Sequence, residues 1–211
     1  MGKFSGKSVV VSGADGALGS EVVRAFLRED ATVCALDHRQ GRLTGLGLNA
    51  GSDGQLFIVE NLDLSQADGV LSLRDEVHQR VGLVDVIVHT VGGFTYGEPV
   101  YDLSVETWQR MLDINVNAFL NLSKALVPDL VERGQGKVIA IGAKAALKGG
   151  TKTGAYSASK AALLRLTESM AAELAGVGIQ VNCVLPGTID TPNNRAEMPN
   201  ADFSKWVAPE K

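Results

Sequence analysis

The chain lacks most of what would tie it to a membrane, to nucleic acid or to an oxidising compartment. It has two cysteines among 211 residues, Cys34 and Cys183. Each sits in a short apolar run, so both are expected to be small buried hydrophobes. A disulfide framework or a zinc site would need clustered, spaced ligands, and no metal site is expected. No apolar run approaches the ~20 residues of a membrane span. Lys and Arg number 20 against 24 Asp and Glu, a net charge of −4, and no dense basic cluster occurs. This argues against nucleic acid or an anionic membrane as the main partner. The opening "MGKFSGKSVVV" runs straight into a strand-like stretch without a signal-peptide pattern, so a cytoplasmic location is the default expectation. There is no internal repeat and no low-complexity segment.

What is present is an ordinary globular composition, 45% apolar and 21% charged, sized for a single domain over residues 1–211. Apolar runs alternate with helical periodicity. "KSVVVSG", "ATVCALD", "GQLFIVENLD", "VDVIVHT", "KVIAIG" and "IQVNCVLPG" read as six strands. Helices are expected over residues 17–29, about 67–81, 105–133 and 153–175. The Gly-rich stretch from His38 to Gly54 reads as a surface loop with at most a short helix. Nearly all-apolar strands separated by helices predict an α/β fold: a doubly wound, mostly parallel, Rossmann-like sheet covered on both faces.

The first chemical signal is "VVVSGADGALGSEVVRAF". A strand ends at Ser12, glycines follow at positions 13, 16 and 19, and an amphipathic helix begins beneath them. Glycine lets the backbone turn sharply and approach a pyrophosphate, and the helix N-terminus offers free N–H groups and partial positive charge. Gly13, Asp15, Gly16, Leu18 and Gly19 are the expected dinucleotide contacts. The second strand ends in Asp37, placed to accept hydrogen bonds from both hydroxyls of an adenosine ribose and to repel a 2′-phosphate. NAD(H) is favoured; Arg39 and Arg42 could instead receive a phosphate, so NADP(H) stays open. A solvated turn residue is the plainer reading of Asp37.

In "GTKTGAYSASKAALLRL", Tyr156 and Lys160 fall on one helix face. Alone, the pair reads as a solvated lysine beside a half-buried tyrosine. With the glycine loop, Asn115 in "MLDINVNAF" and "LPGTIDTP" after the sixth strand, the chain resembles the short-chain dehydrogenase/reductase family from about residue 5 to residue 192. The resemblance implies a nicotinamide cofactor, a small-molecule substrate, and a homodimer or homotetramer built on the helices near 105–133 and 153–175. It also implies Tyr156 and Lys160 as the catalytic pair, and Asn115 as holder of a proton-relay water. Asp63, with Leu64 beside it, would contact adenine. Gly92 would line the cofactor site, and Pro186, Gly187, Thr188 and Thr191 would border the nicotinamide. A phenol of pKa near 10 is a ready acid but a reluctant base at neutral pH. A neighbouring ammonium and a cationic nicotinamide are expected to lower that value.

The chain departs from the family's pattern at several places. Ala17 stands where many members have their middle glycine, with Gly16 adjacent. "HTVGG" stands in place of "NNAG", and His89 is expected to brace the sheet rather than to catalyse. Ala143, in "IGAKAAL", occupies the position of a serine that donates to the substrate oxygen. Loss of one such donor typically costs about 10²–10³ in rate. A conjugated C=N, whose charge delocalises, would suffer less. "GAKAAL" and "DTPNNRAEMPNADFSKW" locally resemble dihydropteridine reductase, a branch that lacks the serine and uses NADH. The chain also ends before the last helix and seventh strand that the resemblance implies. Two other readings stand beside the enzyme: a non-enzymatic dinucleotide-binding protein whose site has decayed, and a structural subunit assembling through its two long helices.

Overall fold

The computed structural model describes residues 2–45, 47, 55–67, 70 and 72–211. Six strands, β1 (Ser8–Ser12), β2 (Thr32–Leu36), β3 (Leu56–Val59), β4 (Val86–His89), β5 (Gly136–Ile141) and β6 (Ile179–Val184), form one sheet. Their order is β3-β2-β1-β4-β5-β6, and every pairing is parallel. Among the described residues seven α-helices connect or follow them: α1 (Ala17–Arg28), α2 (Arg42–Gly45), α3 (Leu73–Val81), α4 (Val105–Leu112), α5 (Ala118–Arg133), α6 (Gly154–Leu174) and α7 (Pro192–Glu197).

The pleat sorts the strand side chains between two cores. Val10 faces a cluster built with α3, α5 and α6 through Leu73, Val77, Phe119, Leu122, Leu126 and Leu163. Val9 and Val11 face the opposite layer with Val23 of α1 and Leu43 of α2. The expected alternation of buried strands and amphipathic helices is therefore the observed one, for the reason given by the sequence pattern. Among the described residues no helix is long and apolar enough to cross a membrane.

Three expectations are refined. The helix placed from residue 67 begins at Leu73; residues 68, 69 and 71 lie outside the described set. The predicted loop from His38 to Gly54 contains the short α2, and residues 46 and 48–54 also lie outside that set. The single helix expected over 105–133 is interrupted by a π-turn at Asp113–Asn117, which joins α4 to α5. Cys34 is buried, and burial pushes its thiol up to about 12. Cys183 packs against the core from the inward face of β6 but is only partly buried, because β6 lies at the sheet edge.

His89 is a buried brace, as expected. Its Nδ1 shares a 2.9 Å hydrogen bond with Ser12 Oγ, across the register in which Ser12 pairs with His89. Burial, reinforced by Lys160, pushes the imidazole down to about 3, so it stays neutral. Its Nε2 has no hydrogen-bond partner among the described residues. Ser12→Ala is therefore expected to leave both ring nitrogens unpaired and to cost about 1–3 kcal/mol, read as a lowered midpoint in denaturant unfolding.

Candidate active site

The strand order reverses direction of growth between β1 and β4, and a crevice opens there beyond the carboxyl ends of the strands. The cleft measures about 870 Å³. Its floor is the glycine loop. Gly13 has φ +71°, a conformation side chains with a Cβ rarely adopt. Gly16 stands at the N-cap of α1 with no side-chain cap, so the helix N-terminus opens toward the loop. Gly19 packs so tightly that a Cβ would lie 2.1 Å from the Gly13 carbonyl oxygen. Ala17, the departure from the family's spacing, does not disturb this turn, because Gly13, Gly16 and Gly19 carry the close approaches.

Of the expected cofactor contacts, Gly13, Asp15, Gly16, Asp37, Asp63, Leu64 and Gly92 line the cleft. Leu18, Gly19, Pro186, Gly187, Thr188 and Thr191 are not among its lining residues. Thr191 caps α7, accepting the Asn194 N–H at 3.1 Å, and brings Asn193 to the cleft wall. Sequence reasoning missed the far wall, a stripe of α4 and the turn after it: Val105, Glu106, Gln109, Arg110 and Asp113. These residues recur with helical spacing, and that periodicity was the available signal. The start of α4 is fixed by Ser104, whose Oγ accepts the Thr107 N–H at 3.2 Å. Glu98 in turn accepts from the Ser104 N–H and from the Thr107 hydroxyl.

Asp37 is buried rather than a solvated turn residue. One carboxylate oxygen accepts the Asp15 N–H at 2.9 Å and the other the Arg39 N–H at 3.0 Å. Burial, with Asp15 as neighbour, raises its pKa, and the two N–H bonds act the other way. Each oxygen keeps a further lone pair for a ribose hydroxyl. The Arg39 guanidinium is ion-paired to Asp15, with Arg42 Nε 3.6 Å from the same carboxylate.

The chemical end of the site is assembled from three elements. Asn115, fully buried within the π-turn, accepts the Gly93 N–H at 3.0 Å and donates to the Gly93 carbonyl at 3.1 Å. It also donates to Ser159 Oγ at 3.0 Å, and Ser159 itself donates to the Tyr156 carbonyl. The Asn115 side chain thus ties the loop after β4 to α6. Gly92 leaves room for Lys160: a Cβ there would lie 2.8 Å from Lys160 Nζ and 3.0 Å from Asn115 Oδ1. Lys160 is buried and donates to the Ile141 carbonyl at 3.0 Å, and burial brings its ammonium down to about 8. The Tyr156 ring meets Phe94 edge to face at 4.9 Å.

Burial raises the Tyr156 phenol above its ordinary value. The Lys160 ammonium is directed at the Ile141 carbonyl, and burial weakens its protonation. Ala143 is buried at the end of β5, and its methyl offers no donor where the serine was expected.

A family model described as short chain dehydrogenase matches residues 7–202. The chain is 30% identical over 192 residues to 2-dehydro-3-deoxy-L-rhamnonate dehydrogenase (NAD(+)) of Sphingomonas sp. (strain SKA58), covering 90% of this chain and 75% of that one. It is 30% identical over 208 residues to 2-dehydro-3-deoxy-D-gluconate 5-dehydrogenase of Bacillus subtilis (strain 168), covering 97% and 81%. A solved short chain dehydrogenase/reductase family protein superposes with a TM-score of 0.86 at 29% identity, covering 99% of this chain and 86% of that one. With its parallel sheet, glycine loop and Tyr156–Lys160 helix, the chain belongs to the short-chain dehydrogenase/reductase family, a family of NAD(P)-dependent oxidoreductases.

Proposed function

We propose that this oxidoreductase moves a hydride between a nicotinamide dinucleotide and a small C=O or conjugated C=N substrate, with Tyr156 as the proton donor. One observation carries the reading. Lys160 Nζ stands against Gly92, which lines the cleft that begins at the glycine loop, and Tyr156 lies one helical turn before Lys160 on α6. A bound dinucleotide would supply the hydride. The glycine loop and the α1 N-terminus would hold its pyrophosphate, Asp37 its adenosine ribose, Asp63 and Leu64 its adenine, and Lys160 its nicotinamide ribose. The fit is supported by the cradle at Gly19, which no larger residue could keep open.

Tyr156 is protonated at neutral pH, as a donor to the anion left by hydride addition must be. Asn115 acts by holding Gly93 and Ser159 in place. NAD(H) is the preferred cofactor in this reading. Asp37 stands buried at the ribose end, and both nearby arginines are engaged with Asp15, so a 2′-phosphate would have to displace an ion pair. The Sphingomonas relative is named as an NAD(+) dehydrogenase.

Ala143 shapes the substrate choice. Without a hydroxyl at this point, a simple ketone loses a donor that a delocalised quinonoid ring, such as a dihydropteridine, needs less. The test is NADH oxidation against ketones, quinones and quinonoid dihydropterin, by the wild type and by Ala143→Ser. Turnover of a conjugated substrate by the wild type is expected, with ketone reduction rising about 10-fold or more in Ala143→Ser. Good ketone turnover by the wild type without dihydropterin turnover removes the C=N preference. No turnover of any substrate by either form overturns the oxidoreductase reading.

A further inference from the structure

The loop leading from β5 to α6 has a charge pattern that the hydride chemistry does not use. Residues 134–167 contain Lys137, Lys144, Lys148, Lys152, Lys160 and Arg165, and no acidic side chain, in a chain of net charge −4. Three of these cations are accounted for: Lys137 meets Gln180, Arg165 pairs with Glu168, and Lys160 donates to Ile141. Lys144, Lys148 and Lys152 are exposed, and among the described residues none forms an ion pair. Solvation alone would distribute such charges among acids, as it does elsewhere on this surface.

A second, independent feature fixes this loop at the entry to α6. Lys152 has φ +57°, a left-handed conformation that residues with a side chain rarely take. Its carbonyl is held there by the Gly97 N–H at 3.1 Å. Two residues on, Gly154 lies so close to the same neighbouring loop that a Cβ would stand 2.5 Å from Val100 Cγ2. The segments around 94–104 and 142–153 are thereby joined into one rim, and Tyr156 follows directly in the first turn of α6. Of the two acids of that rim, Glu98 is turned into the N-terminus of α4 by its bonds to Ser104 and Thr107, and Asp102 is exposed. None of the three lysines lines the dinucleotide cleft, so their charge is not placed for the cofactor's phosphates.

We propose that this rim binds an anionic group of the substrate, a carboxylate or a phosphate, which lies on the molecule away from the atom that is reduced. The inference rests on the oxidoreductase reading and narrows it. Ammonium groups on long stems suit either anion as point charges. An anchor remote from the reacting atom also supplies what Ala143 lacks. It orients the substrate over Tyr156 through binding energy gained elsewhere on the molecule.

The test uses matched pairs with NADH: levulinate against its methyl ester, and dihydroxyacetone phosphate against dihydroxyacetone. Each charged member is expected to exceed its neutral partner in kcat/KM by about tenfold, the scale of a charge-assisted hydrogen bond, and the larger ratio identifies carboxylate or phosphate. In the triple variant Lys144→Gln, Lys148→Gln, Lys152→Gln the ratio is expected to collapse toward one, with the thermal midpoint reporting an intact fold. The corresponding triple Lys→Arg variant is expected to keep the ratio. A ratio that survives the triple Gln change, or a neutral member that reacts as well as its charged partner, overturns the proposal. If no form reduces any of these carbonyls, the oxidoreductase reading is decided separately by the screen that includes conjugated substrates. Calorimetric titration of succinate and glycerol 3-phosphate onto the chain with NADH then decides the anion site. Binding weakened about tenfold in the triple Gln variant sustains it, and no binding by the wild type overturns it.

Discussion

Replacing Tyr156 by phenylalanine is expected to lower turnover by about 100-fold or more while NADH still binds. The substitution removes one oxygen and little else. The edge-to-face contact of the ring with Phe94, at 4.9 Å, needs only the aromatic carbons and survives the change. The Ser159 hydroxyl bonds the main-chain carbonyl of residue 156, so the tie running from Asn115 through Ser159 is also kept. What disappears is the proton that quenches the anion formed as hydride arrives. Steady-state NADH oxidation measures the loss, and fluorescence titration of NADH separates chemistry from binding. Full turnover by the phenylalanine variant would show that another group carries the proton.

The second large effect is expected at Gly19. A methyl there would stand 2.1 Å from the Gly13 oxygen, 2.9 Å from the Gly13 carbonyl carbon and 2.8 Å from Thr90 Oγ1. Two of these obstacles are backbone, and the Gly13 carbonyl is already held by the Gly16 N–H at 3.1 Å and the Thr90 hydroxyl at 3.2 Å. Neither side can yield without opening the turn. Gly19→Ala is therefore expected to cost about 1–3 kcal/mol or more in stability and to weaken NADH binding about tenfold or more. Gly176→Ala, where a Cβ meets nothing within 4 Å, is the matched control. Denaturant unfolding and NADH titration of both variants check the prediction; a Gly19→Ala protein that binds NADH like its control would refute the tight-cradle account.

Much of this architecture could be read before any coordinates. The run "VVVSG" followed by an amphipathic stretch determines both a strand and what must lie after it, because local propensity and burial agree there. The Tyr156–Lys160 face was readable for the same reason, since helical spacing places both side chains from sequence alone. Features that depend on distant partners were not. The bracing bond between Ser12 and His89 joins two strands through their register, which no local pattern encodes. The rise in the Tyr156 pKa comes from its burial among distant partners, and the Lys160 bond to the Ile141 carbonyl joins α6 to the end of β5. The burial of Asp37 was hidden because one of its hydrogen-bond donors, the Asp15 N–H, belongs to the turn after a different strand.

The wide turn at Asp113–Asn117 has a consequence for how this polypeptide can vary. Upstream, α4 turns one stripe to the cleft; downstream, α5 commits Phe119, Leu122, Leu126 and Leu130 to the interior. With about 3.6 residues per revolution, removing a single residue between the two would rotate everything after it by roughly 100°. The aromatic ring at 119 would swing toward water, while the amide that grips Gly93 would lose its grip. A single insertion or deletion in this stretch is therefore expected to disturb the site, and the length of the segment is as much a determinant of it as the side chains it carries.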